Sequence, residues 1–131
     1  MGVTSGGVSC TVGAMSRVLK PCPSSPNCVS SLASEDAAHR IAPLAWTGGL
    51  AQAKARLRQA VMASGNAMVV VEEDTYWHIE FRSRLFRFVD DVECLFDLRN
   101  RLIHVRSASR VGHSDLGVNR ARVEQIRARF Q

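Results

Sequence analysis

The chain has 131 residues, a formal charge of +5, and 46% hydrophobic against 22% charged residues. That length and composition fit one globular domain with a real core and exclude a wholly disordered chain. No apolar run approaches the roughly 20 residues of a membrane-spanning helix, so a soluble domain is expected; four cysteines are too few for a disulfide-dense miniprotein.

All the positive residues except Lys20 and Lys54 are arginines, which favours planar, bidentate contacts with carboxylates or phosphates. The second half mixes both signs of charge, as a paired surface does. No basic cluster with interleaved aromatics appears, which argues against nucleic acid as a partner.

Residues 1–16, MGVTSGGVSCTVGAMS, are small and uncharged and lack the basic and apolar regions of a secretory signal. Residues 1–19 are expected to form a flexible leader, with Met15 as an alternative start, and residues 20–131 a single domain. The lack of a credible signal points to the cytoplasm. Within residues 20–34, KPCPSSPNCVSSLAS, three prolines fix an irregular path, so no helix or strand is expected there. An ordered loop of that length is expected to pack across the domain.

Thr47 then caps an amphipathic helix whose buried stripe is Leu50, Ala53, Leu57 and Val61, ended by Ser64-Gly65-Asn66. Strands are predicted over Ala67–Glu72, Thr75–Leu85, Val89–Leu98 and Arg101–Ser109, and their short connections imply an antiparallel meander. Trp77, Ile79, Phe81 and Leu85 share one face of the second strand, and Tyr76, His78, Glu80, Arg82 and Arg84 the other. A terminal helix over Leu116–Phe130, capped by Ser114-Asp115, buries Leu116, Val123, Ile126 and Phe130. Asn119 falls inside that stripe and so must hydrogen-bond to the sheet or the loop beneath it. The expected fold is α+β: one helix, an antiparallel sheet of about four strands, and a C-terminal helix packed on it.

Three stretches, CPSSPNCVSS (22–31), EFRSRLFRFVDDVECLFD (80–97) and IHVRSASRVGHSDLGVNRARVEQI (103–126), together resemble a domain-of-unknown-function family of bacteria and plant plastids. The resemblance spans about residues 20–130 and supplies no activity to carry over. It does imply that export or membrane tethering through an N-terminal segment is open to such a chain, against the cytoplasmic reading.

Cys22 and Cys28 are close enough in sequence to bridge if their loop folds back; an oxidising compartment favours a disulfide and the cytosol two thiols. Neither a zinc spacing nor Cys-x-x-Cys is present, so no metal or cofactor is expected. His78 and Glu80 lie two residues apart on one strand face, where an imidazole beside a carboxylate can act as a general base. Arg82, Asp91, Arg106, Ser107, Ser109, Arg110, Asn119 and Arg120 are the candidate ligand-binding residues. Arg110 is expected to bond an aspartate or loop carbonyls, with Asn119 completing that network. The leading expectation is a non-enzymatic binding or accessory module for an anionic small molecule or a protein partner. A small hydrolase using His78 with Glu80 is the alternative. Oligomeric state is not legible.

Overall fold

A computed structural model describes residues 17–33, 35–83, 88–112 and 117–131. In chain order the elements are β1 (Cys28–Ser30), β2 (Leu44–Ala45), α1 (Leu50–Ala63), β3 (Ala67–Glu72), β4 (Tyr76–Arg82), β5 (Val89–Asp97), β6 (Leu102–Ser109) and α2 (Val118–Phe130). The four long strands form the expected meander, in the order β6-β5-β4-β3. Among the described residues the sheet nevertheless has six strands, not about four. The additional two, β1 and β2, both pair antiparallel with β6. They are three and two residues long, too short for alternation to register, and β1 interrupts the loop expected to hold no strand.

The register explains why two distant motifs occur in one chain. Cys28 lies opposite Ala108, Val29 opposite Ser107 and Ser30 opposite Arg106. The Pro-rich segment thus supplies an edge partner for the Arg-Ser-Ala-Ser-Arg strand, across nearly 80 residues of sequence. The Cys22–Cys28 disulfide, with Cα atoms 5.7 Å apart, closes the loop just before β1.

Both helices pack on one face of the sheet. Ala53, Leu57, Ala60 and Val61 of α1 and Val123, Ile126 and Phe130 of α2 meet Trp77, Ile79, Phe81, Val92, Cys94, Phe96, Ile103 and Val105. Each large side chain buried this way is worth about 1.5–3 kcal/mol. Trp77 and Phe96 stack edge to face at 5.5 Å between centroids, a geometry that adds to area burial. Cys94 is free and fully enclosed, and burial pushes its thiol up to about 12. The α1 N-cap is Gly49, not Thr47, and Gln52 Oε1 accepts its backbone N–H at 3.1 Å. The Thr47 carbonyl instead accepts from Arg56 Nη2 at 3.2 Å. The expected Ser114-Asp115 cap, together with Leu85, Arg84 and Leu116, lies outside the described residues.

Residues 17–22 run along the opposite face of the sheet. Arg17 stacks 4.5 Å over the Tyr76 ring and pairs with Glu73 at 2.9 Å, and Leu19 is buried. Of the residues read as a leader, 1–16 lie outside the described residues.

Candidate functional site

The two-residue alternation of β4, β5 and β6 sorts the candidate residues onto opposite faces. His78, Glu80 and Arg82 on β4, Asp91 on β5, and Arg106 and Arg110 along the β6 line face away from the helices. Ser107 and Ser109 face α2, where Asn119 sits. The expected single network through Arg110 and Asn119 is therefore two networks with the sheet between them.

On the outer face, Glu80 and Asp91 are direct cross-strand partners. Two carboxylates in that register repel unless a cation joins them. Arg110 supplies it. Its Nε and Nη2 donate to Asp91 at 2.8 and 2.9 Å, and Nη2 also donates to Glu80 Oε2 at 2.7 Å. Arg82 Nη2 donates to the other Glu80 oxygen, Oε1, at 3.1 Å. His78 Nε2 donates to Asp91 Oδ1 at 2.7 Å. The hydrogen bonds from Arg110, ahead of those from His78, hold the Asp91 carboxyl below the usual carboxylate range. His78, Glu80 and Asp91 each offer a ligand atom, and these atoms lie within 4.8 Å of one another. Their side chains are 25%, 16% and 23% exposed, while both arginines are 45% exposed, so water reaches the arginines more freely than the acids they neutralise.

The rest of the outer face is more covered. Arg106 lies 3.7 Å from Glu93 and 3.5 Å from the Pro21 carbonyl, while its Nε is buried without a partner among the described residues. Tyr76 donates its hydroxyl to Glu93, and burial with that carboxylate raises the phenol's pKa. An open cleft of about 490 Å³ lies between the 19–22 segment and Leu32, Ala33, Glu35 and Asp36. A second, of about 630 Å³, lies between the end of α1 and Arg82.

On the inner face, Asn119 is fully buried. Its Oδ1 accepts from Ser107 Oγ at 2.6 Å and Arg122 Nη1 at 3.0 Å, and its Nδ2 donates to Ser109 Oγ at 2.9 Å and the Asn27 carbonyl at 3.2 Å. Arg122 also pairs with Asp90 at 2.8 Å and stacks 4.8 Å from the Phe81 ring centre. Helical spacing sets the Arg122 Cα–Cβ bond off the apolar stripe, and its long stem brings the guanidinium back. Arg120 belongs to neither network: it donates to the carbonyls of Arg40 and Ala38 at 2.8 and 3.1 Å. Arg127 grips those of Pro43 and Ala42, so α2 holds the segment between β1 and β2 by two arginines.

His39 was not legible as a site residue. It is buried, with Nδ1 on the Asp36 carboxylate and Nε2 2.8 Å from the Ser25 carbonyl. Two acceptors call for two ring N–H groups, and the imidazole pKa is raised, first by the Ser25 carbonyl and then by Asp36.

A two-layer α+β domain carrying a charge-paired cluster on the sheet face away from α1 and α2 is the class these features define. Residues 18–130 match the family described as a protein of unknown function (DUF1499), and the chain belongs to that family. No curated protein matches it. Among the described residues no helix is long and apolar enough to cross a membrane.

Proposed function

We propose that the domain is a non-enzymatic binding module for an anionic ligand, read by Arg82 and Arg110 on the outer sheet face. The observation that carries this reading is the convergence of two half-exposed arginines on the two oxygens of one carboxylate, Glu80. A carboxylate or phosphate from outside can take the place of Glu80 with the same donor geometry. The open cleft beside Arg82 gives such a ligand room. A hydrolase is the poorer fit. The hydrogen bond of His78 goes to Asp91 rather than Glu80, and Ser107, Ser109 and Cys94 lie on the other side of the sheet. The Cys22–Cys28 disulfide supports an oxidising compartment.

Calorimetric titration of the metal-free protein with inorganic phosphate tests the proposal. Removing the internal competitor in Glu80→Gln is expected to tighten phosphate binding about tenfold, on the order of 1.4 kcal/mol. Arg110→Ala is expected to abolish it. Equal binding by wild type and both variants defeats the reading, as does an absence of binding in Glu80→Gln.

A further inference from the structure

The outer cluster has a second capacity that its arginines mask. His78, Glu80 and Asp91 come from two adjacent strands, brought together because Glu80 pairs with Asp91 and His78 sits diagonally across from Asp91. No linear spacing announces such a set. Three donor atoms mutually within 4.8 Å have a common centre about 2.8 Å or less from each, so shifts of under an ångström reach the roughly 2.0–2.2 Å of Zn–N and Zn–O bonds.

The donor chemistry narrows the metal. One imidazole with two carboxylates suits zinc and neighbouring first-row divalent ions better than the all-oxygen shells of calcium or magnesium. Three protein ligands also leave a tetrahedral position open. The two carboxylates already need a cation, and Arg110 fills that need by bonding to both. Arg110 can leave. Its side chain is 45% exposed, it follows the last residue of β6, and Gly112 two residues on has open space around it and a φ of +89°.

We propose that His78, Glu80 and Asp91 form a divalent transition-metal site in which Arg110 is the resident, displaceable counter-ion. The metal enters as the guanidinium swings out, and the ligand carboxylates exchange one cation for another. Released beside the metal, Arg110 then stands next to the open coordination position, where an anion can bind metal and guanidinium together. The site shares its residues with the anion-binding reading, but the metal-binding step stands on its own ligands.

The experiment is calorimetric titration of untagged, chelator-treated protein with zinc in phosphate-free buffer, with cobalt absorption as a spectroscopic check on coordination. One zinc per chain is expected. His78→Ala and Asp91→Asn should each weaken binding at least tenfold, while His104→Ala, whose imidazole lies 3.8 Å from Asp97 and outside the cluster, leaves it unchanged. Arg110→Ala should tighten it about tenfold, because the competing cation is gone. Glu80→Gln separates the two proposals: it weakens zinc binding while strengthening phosphate binding in metal-free protein. Should His78→Ala fail to fold, Arg110→Ala still decides. Zinc binding that is unaltered in Arg110→Ala and Glu80→Gln, or absent from Arg110→Ala, overturns the site.

Discussion

The two faces of the sheet carry similar arginine–carboxylate pairs and put them to different uses. Inward, Ser107 and Ser109 meet Asn119, and Arg122 from α2 meets Asp90, with Arg122 and Asp90 each 14% exposed. Outward, Arg110 meets Asp91 and Glu80 at the same distances, but is 45% exposed. The difference is solvent. A charge pair away from water must keep its partner, because the survivor has nothing to replace it. A pair at the surface gains little and exchanges partners easily. The inner network thus fixes how α2 sits on the sheet, and the outer one can change hands.

The sharpest way to break the comparison is Arg122→Ala. It strands Asp90 near the core, takes one donor from Asn119 and uncovers Phe81. A loss of about 3–5 kcal/mol is expected, read as a lower urea midpoint. A loss under about 1 kcal/mol, the range of an exposed pair, would show that water reaches Asp90 and that the two faces do not differ.

The asymmetry between the faces was only half legible. Alternation in Tyr76–Arg82 and Leu102–Ser109 assigns each residue its face, because the period of two is a property of the backbone. The stripes of both helices were legible for the same kind of reason. What alternation cannot give is register. Whether Asp91 or Asp90 meets Glu80 depends on which residues pair across the β4–β5 hairpin, and one residue of slip reverses the answer. That is why the strand pattern joins His78 to Glu80, its neighbour along the strand, while its bond goes to Asp91 across the sheet. Arg122 is not legible as a member of the inner network because residue spacing gives the direction of a Cα–Cβ bond, not the reach of a guanidinium. His39 was missed because its two acceptors, Ser25 and Asp36, come together only when the disulfide-closed loop folds back.

His39 provides a smaller, local effect with a defined sign. Asp36 and the Ser25 carbonyl favour its charged form, and Arg120, the other charged group acting on it, opposes them more weakly. The folded-state pKa lies above the unfolded value of about 6.5. Its contribution is therefore complete below that value and is lost as pH rises through the raised, folded pKa. Amide exchange in residues 24–28 should accelerate over that upper window after correction for intrinsic rates, and His39→Gln should remove the pH dependence. Exchange that slows as pH rises would reverse the assigned sign.

The smallest expected stability change is also the one that most sharpens the contrast between the faces. Arg110→Ala should shift the urea midpoint at pH 7 far less than Arg122→Ala, since water and salt screen the exposed guanidinium. Its pH dependence identifies the partner. In the wild type the Asp91 carboxyl is held below its ordinary range by Arg110 first and His78 after. A depressed carboxylate stabilises the fold above its unfolded pKa of about 3.9, and that contribution disappears as pH falls through the folded value. Whatever small gap separates wild type from Arg110→Ala at neutral pH should therefore narrow in acid as Asp91 is protonated in both. Raising the salt concentration at pH 7 should narrow the same gap. A gap that persists unchanged at pH 2 would mean that Arg110 stabilises the fold by packing rather than charge, and the outer cluster would then be as fixed as the inner one.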